Sequence, residues 1–171
     1  MLQKKVCMLG YFAVGKTSLV RRCVESIFSE QYITTIGVKI DKKTLTVSEK
    51  EVTLVVWDVY GEDNQQSVMP AYLRGMAGYL LVVDPTRPNT VKKAEVLNNR
   101  VRETVGNLPF VLVKNKSDLK ENWITEDSDL AALENTASAV IETSAKNDSN
   151  VDETFESLAS AILAANKSHS E

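Results

Sequence analysis

One stretch of this chain constrains its fold more than any other: Gly10-Tyr11-Phe12-Ala13-Val14-Gly15-Lys16-Thr17, which fits the spacing GxxxxGK[ST]. A short apolar run, Val6-Cys7-Met8-Leu9, precedes it, and a stretch with helical periodicity, Lys16–Val24, follows it. A buried strand that turns through glycines into a helix presents successive backbone N–H groups beside the positive end of the helix dipole. That arrangement is a cradle for phosphate, with Ala13, Val14, Gly15, Lys16, Thr17 and Ser18 as its donors. Lys16 is expected to reach the β- and γ-phosphates of a nucleotide, and the Thr17 hydroxyl to ligate Mg²⁺.

The rest of the chain alternates strands with helices. Lys4–Leu9 reads as a buried strand and Ser29–Gly37 as a long loop. Val38–Val47 and Val52–Trp57 form a hairpin about a turn at Ser48-Glu49-Lys50. Gly61–Gly75 has no clean period and is expected to be loop with irregular helix. Tyr79–Val83 and Phe110–Val113 are buried strands and Val140–Thr143 is a further strand. Helices are expected over Thr90–Val105, Ser128–Ser138 and Val151–Ala165. Apolar strands alternating with helices predict an α/β fold: a mostly parallel six-stranded sheet with one antiparallel strand and helices on both faces.

Length and composition agree with this. The 171 residues, read as one domain over 1–171, suffice to bury roughly 70% of the unfolded surface without a disulfide or metal staple. Lys and Arg number 20 against 23 Asp and Glu, a net charge of −3, which argues against sequence-independent nucleic-acid binding. The two cysteines, Cys7 and Cys23, lack a CxxC spacing, and the one histidine, His169, lies in the tail, so no zinc site is expected. No apolar run is long enough to span a membrane.

A phosphate cradle serves many nucleotides, so the base must be read elsewhere. After the strand Phe110–Val113 comes Lys114-Asn115-Lys116-Ser117-Asp118, an NKxD. An ionised carboxylate only accepts hydrogen bonds, and guanine offers two adjacent donors where adenine offers neither. Asp118 therefore selects guanine, because adenine would leave a buried charge unsatisfied, at a cost on the order of several kcal/mol. The Lys116 stem suits one face of the base. Thr143-Ser144-Ala145-Lys146 follows another strand, with backbone N–H groups able to address the guanine carbonyl oxygen.

With these residues in hand, the chain resembles the Ras superfamily of small GTPases along essentially its whole length, and is most similar to the Rab branch. The motifs that carry the likeness are Gly10–Thr17, Thr35, Asp58–Gly61, Asn115–Asp118 and Ser144–Lys146. The resemblance implies a P-loop NTPase G domain with GTP or GDP and Mg²⁺ as its ligands. It makes Thr35, in Thr34-Thr35-Ile36-Gly37, a Mg²⁺ and γ-phosphate ligand. It places Phe28 edge-on against guanine, Asp58 as the carboxylate that supports Mg²⁺ beside Thr17, and the Gly61 N–H on the γ-phosphate. It also implies switch loops that are ordered by γ-phosphate and released on hydrolysis, as is general for this family. Effectors, an exchange factor and an activating protein would then meet Ile36, Ile40, Trp57 and Tyr72. In Rab proteins two aromatic residues join a phenylalanine in an effector-reading triad; here the third place falls on Ile40. The alternative is that Trp57 is strand core and Tyr72 packs under a loop.

Three departures cluster at the γ-phosphate. The family's DxxGQ usually reads Asp-Thr-Ala-Gly-Gln, whereas this chain has Asp58-Val59-Tyr60-Gly61-Glu62. Among the catalytic residues that the resemblance implies (Lys16, Thr35, Gly61 and Glu62), Glu62 keeps an acceptor but loses the amide donor. A carboxylate with an ordinary pKa of about 4.3 is ionised at neutral pH and repelled by phosphate. Loss of one preorganised donor costs about 3 kcal/mol, or a rate factor of about a hundred, so slow intrinsic hydrolysis is expected. The counter-reading is that the carboxylate positions water well enough or acts as a weak base. Phe12 stands where small residues are common and is expected to crowd an arginine finger; Tyr60 replaces an alanine.

The expectation is a monomeric, cytoplasmic small GTPase that acts in signal transduction or vesicle trafficking. No prenylation cysteine ends the chain as written, so any membrane visit is expected to be peripheral and through partners. Rival readings are a constitutively GTP-bound scaffold and a metabolite kinase. The kinase reading leaves Asn115–Asp118 unexplained.

Overall fold

The computed structural model describes residues 2–25, 37–59 and 70–168. Six strands form one sheet: β1 (Leu2–Gly10), β2 (Val38–Val47), β3 (Lys50–Val59), β4 (Gly78–Val83), β5 (Phe110–Lys114) and β6 (Ala139–Glu142). Their order is β2-β3-β1-β4-β5-β6, and only the β2–β3 pair is antiparallel. The α/β fold expected from the sequence is the one observed.

The apolar runs form strands because both of their faces are covered. Side chains alternate across a strand. Val6 and Met8 of β1, Leu80 and Val82 of β4, and Val111 and Val113 of β5 enter one core. Cys7, Leu9, Tyr79, Leu81, Val83, Phe110 and Leu112 enter the other. Helices α1 (Lys16–Glu25) and α5 (Val151–Ser168) close the first face with Leu19, Val20, Phe155, Leu158 and Ile162. The second is closed by α2 (Pro70–Leu73), α3 (Pro88–Val105) and α4 (Asp127–Glu134), through Leu73, Val91, Leu97, Val101, Leu130 and Leu133.

The hairpin turn is tighter than expected. Val47 pairs with Lys50, so Ser48 and Glu49 alone make the turn, with φ of 49° and 62°. Positive φ at both central residues matches the twist of the flanking strands. Helix α4 ends at Glu134 and not at Ser138. The Thr136 hydroxyl turns back to the Ala132 and Leu133 carbonyls, and the Ser138 N–H is taken by the Phe110 carbonyl at 2.8 Å, so the chain is already entering β6. Helix α3 begins at Pro88, two residues before the expected Thr90, because proline suits the first turn, where its missing N–H has no partner to lose. A short 3₁₀ segment, Ser117–Asn122, was not anticipated. Of the loop expected over Ser29–Gly37 only Gly37 is among the described residues, and most of Gly61–Gly75 lies outside them.

Strands β3, β1, β4, β5 and β6 all run the same way, so their C-terminal ends line one edge of the sheet. In open parallel sheets that edge is where ligands bind. Here the loops after β1, β4, β5 and β6 meet there.

Candidate functional site

The loop that leaves β1 is wrapped tightly by its neighbours. A Cβ on Gly10 would lie 2.4 Å from the Val82 carbonyl oxygen of β4, and one on Gly15 would lie 2.2 Å from Asn115 Nδ2. Gly15 has φ of +102°, which only glycine adopts readily, so this position requires its residue on both counts. Ala13 is left-handed as well, at φ 58°.

Lys16, at the start of α1, is buried and bridges the Gly10 and Tyr11 carbonyls, each at 3.1 Å from Nζ. Burial lowers its pKa to about 8, against a smaller opposing pull from Asp58. The next residue, Thr17, donates its hydroxyl to Asp58 Oδ2 at 2.5 Å, at the C-terminal end of β3. The other oxygen of Asp58, Oδ1, is buried without a hydrogen-bond partner. Desolvation raises the Asp58 pKa; the Thr17 hydrogen bond and the Lys16 charge oppose that rise. A buried carboxylate oxygen with nothing to accept from is costly, and a hard cation beside Thr17 and Asp58 would relieve it.

The loops after β5 and β6 interlock with the first. The Asn115 side chain donates to the Val14 carbonyl at 2.9 Å and accepts from the Thr143 hydroxyl at 3.0 Å. Lys116, left-handed at φ 65°, sends Nζ to the Ala13 carbonyl at 3.3 Å and to the buried Asp84 carboxylate at 2.7 Å. The Asp118 carboxylate accepts from the Ser144 hydroxyl at 2.7 Å, and that hydroxyl accepts in turn from the Asn147 N–H at 3.0 Å. Ala145 is buried and Lys146 exposed. Their carbonyls are held by Arg22 of α1, at 2.9 and 3.0 Å.

Residues 5–164 match the Ras family. The chain belongs to that family. It is 36% identical to Ras-related protein SEC4 of Saccharomyces cerevisiae over 159 residues, 92% of this chain and 74% of that protein. It is 35% identical to Ras-related protein Rab-13 of Mesocricetus auratus over 93% of this chain and 79% of that protein. With Ras-related protein Rab-19 of Mus musculus the identity is 32%, over 96% and 77%. Among small GTPases the chain is therefore Rab-like, and its sheet is that of the α/β P-loop NTPase fold.

In this Rab-like Ras-family chain, the structure brings together Ala13, Val14, Gly15, Lys16 and Thr17 with Asp58, Asn115 and Lys116, and places Asp118 with Ser144 beside them. Ser18 follows in the first turn of α1. Phe28, Thr35, Ile36, Tyr60, Gly61 and Glu62 lie outside the described residues. Phe12 is half-buried and packs against the first core. Trp57 and Tyr72 are neither deep core nor fully exposed; their ring centroids are 6.5 Å apart, and Lys5 Nζ lies 3.7 Å from the Trp57 ring centroid. Ile40 pairs across the hairpin with Trp57 and is 49% exposed.

Three contributors escaped the motif reading, Asp84, Arg87 and Arg22, and Thr143 was read for its backbone and not for the hydroxyl that it gives to Asn115. Arg87 donates from Nη1 to the Phe12 and Ala13 carbonyls at 3.1 and 3.2 Å. The sequence signal for Asp84 is weak: a carboxylate directly after the buried run Tyr79–Val83. For Arg87 the sequence holds no signal at all, because its contact lies 75 residues away in the chain.

Proposed function

We propose that this chain, as one G domain over 1–171, is a guanine-nucleotide switch that binds GTP and GDP with Mg²⁺, hydrolyses GTP slowly and recruits effectors in its GTP form. The observation that carries the reading is the junction of the phosphate loop with the NKxD segment, through Asn115 to the Val14 carbonyl at 2.9 Å. A loop suited to phosphates and a carboxylate suited to guanine are thereby held as one unit.

Asp118 accepts from the guanine edge, with Ser144 keeping the carboxylate oriented. Lys116 spans from the base pocket to the phosphate loop, and the backbone after Ser144, at Ala145 and Lys146, offers N–H groups to the guanine carbonyl. Lys16 leaves its two carbonyls for phosphate oxygens, which compensate its burial better than neutral dipoles do. Mg²⁺, when bound beside Thr17, Thr35 and Asp58, neutralises charge on the phosphates. The orphaned Asp58 Oδ1 supports that assignment. Phe28 flanks the base, and Gly61 donates its N–H to the γ-phosphate. Glu62 orients water as an acceptor but brings no donor to the developing charge, so hydrolysis is slow by about a hundredfold.

The surface of Ile36, Ile40, Trp57 and Tyr72 reads the switch out to effectors and regulators. A role in vesicle trafficking, in the cytoplasm and peripheral to membranes through partners, is consistent with the Rab-like relatives. Among the described residues no helix is long and apolar enough to cross a membrane.

A single-turnover GTP hydrolysis time course, with identification of the nucleotide carried by freshly purified protein, tests this reading. Slow turnover that Glu62→Gln accelerates is the expected result. An ordinary small-GTPase rate with GDP bound would remove the argument from Glu62. Retained GTP with no turnover in either form favours the constitutive scaffold, and a preference for ATP would end both readings.

A further inference from the structure

Every carbonyl of the phosphate loop from residue 10 to residue 15 accepts a hydrogen bond from elsewhere in the chain. Lys16 Nζ takes those of Gly10 and Tyr11, Asn115 Nδ2 takes that of Val14, and the Leu19 N–H takes that of Gly15. Ala13 is reached by Lys116 Nζ at 3.3 Å and by Arg87 Nη1 at 3.2 Å, and Phe12 by Arg87 Nη1 at 3.1 Å. In a planar trans peptide the C=O and the following N–H point in opposite directions. The Phe12, Ala13 and Val14 carbonyls, tied back by Arg87 and Asn115, therefore turn the N–H groups of Ala13, Val14 and Gly15 away from those partners, which leaves them to an anion.

Lys16, Asn115 and Lys116 belong to the motifs. Arg87 does not, and it holds the most strained part of the loop. Ala13 sits at φ 58°, a conformation an L-residue keeps only when its surroundings impose it. Arg87 is itself well fixed. It stands at the N-cap position of α3, ahead of Pro88, its N–H donates to the Asp84 carbonyl at 2.9 Å, and its guanidinium carbon lies 5.8 Å from the Tyr11 ring centroid. The turn that carries it is closed by the Asp84 carboxylate, whose Oδ1 accepts from the Thr86 N–H and hydroxyl at 3.0 and 2.6 Å. The other oxygen of that carboxylate binds Lys116. One buried acid thus orders both cations that reach the Ala13 carbonyl.

We infer that Arg87 is a positioning residue for nucleotide binding: it clamps the Phe12 and Ala13 carbonyls so that the loop is in its phosphate-binding shape before phosphate arrives. The inference rests on the reading of the site as a guanine-nucleotide site. Its consequence is for retention of the phosphates and not for choice of base, since Arg87 has no bond to Asn115, Asp118 or Ser144.

The test is the dissociation rate of a fluorescent GDP from the full chain, in the presence of Mg²⁺ and well below the unfolding temperature. Arg87→Ala is expected to accelerate release by about tenfold, the scale of losing hydrogen bonds from a charged donor. Lys92→Ala, an exposed change on α3, leaves the rate at its wild-type value. Adding Ala13→Gly to Arg87→Ala recovers part of the loss, because glycine adopts positive φ without penalty. The ratio of GDP to IDP affinity stays unchanged. If Arg87→Ala lowers the melting temperature but releases GDP at the wild-type rate, Arg87 is only structural and the inference is overturned. Where the alanine variant does not fold, Arg87→Lys, which keeps the charge on a shorter stem, is read the same way. Wild-type protein that retains no guanine nucleotide would sink the nucleotide reading itself, and that result is visible before any variant is made.

Discussion

The Thr17 hydroxyl and the Asp58 carboxylate share a hydrogen bond of 2.5 Å, across a separation of 41 residues and from two different elements. It leaves the second carboxylate oxygen buried and unpartnered. The pair is thus half-satisfied from within the chain, and the proposed cation would satisfy the other half.

Asp58→Asn is expected to separate stability from metal response. In chelator the variant should unfold within about 1 kcal/mol of wild type, because the amide replaces a desolvated charge that is only partly compensated. The slowing of GDP release by Mg²⁺ should weaken by about 10- to 100-fold, as when a group supporting a metal ligand is lost. Release kinetics with and without Mg²⁺ check this; an unchanged metal response would exclude Asp58 from the cation site.

Gly15→Ala should damage two loops at once. The new Cβ would lie 2.2 Å from Asn115 Nδ2 at a φ of +102°. Asn115 must then leave the Val14 carbonyl and the Thr143 hydroxyl. A loss of about 2–4 kcal/mol in urea unfolding is expected, with loss of nucleotide binding. Wild-type stability in the variant would mean that the approach of the two loops is not as tight as described.

Ser144→Ala removes the hydroxyl that orients Asp118 and should weaken GDP binding by about 1 kcal/mol, or several-fold. Asp118→Ala should do more, and should also narrow the preference for GDP over IDP, which lacks the 2-amino donor. Competition titrations with the two nucleotides report both effects.

The thiols should make the protein lose stability on the alkaline side. Burial raises Cys7 and Cys23 from 9.0 to about 12. The folded state therefore holds these protons where the unfolded state releases them. Their stabilising contribution is complete below about pH 9 and is lost progressively as pH rises toward 12. Denaturation midpoints measured from pH 8 upward should fall along that course, and should fall less in Cys7→Ala/Cys23→Ala. At pH 8 both thiols should react slowly with a thiol reagent until the chain unfolds.

Much of this molecule is local information. Gly10 and Gly15 sit where the turn needs them, and the apolar runs of β1, β4 and β5 announce strands covered on both faces. Asn115, Asp118 and Ser144 follow strands at the spacing that puts them on one edge. Boundaries were less legible. Helix α4 stops early because the Phe110 carbonyl, far away in the chain, takes the Ser138 N–H. The short 3₁₀ segment after Lys116 has no periodic pattern to signal it.

The order of strands and helices, the glycine-rich loop after β1 and the carboxylate proposed to read the base were all legible in the sequence. These depend on backbone conformation and side-chain chemistry within a few residues. Only the tertiary structure decided how the pieces restrain one another: Asn115 on Val14, Arg22 on the loop after β6, Asp84 on Lys116, and Arg87 on Phe12 and Ala13. Those restraints bring together donors and acceptors from strands that neighbour in the sheet and not in the chain. The parallel order β1-β4-β5-β6 brings their exits within hydrogen-bonding reach, and no spacing along the sequence encodes that distance.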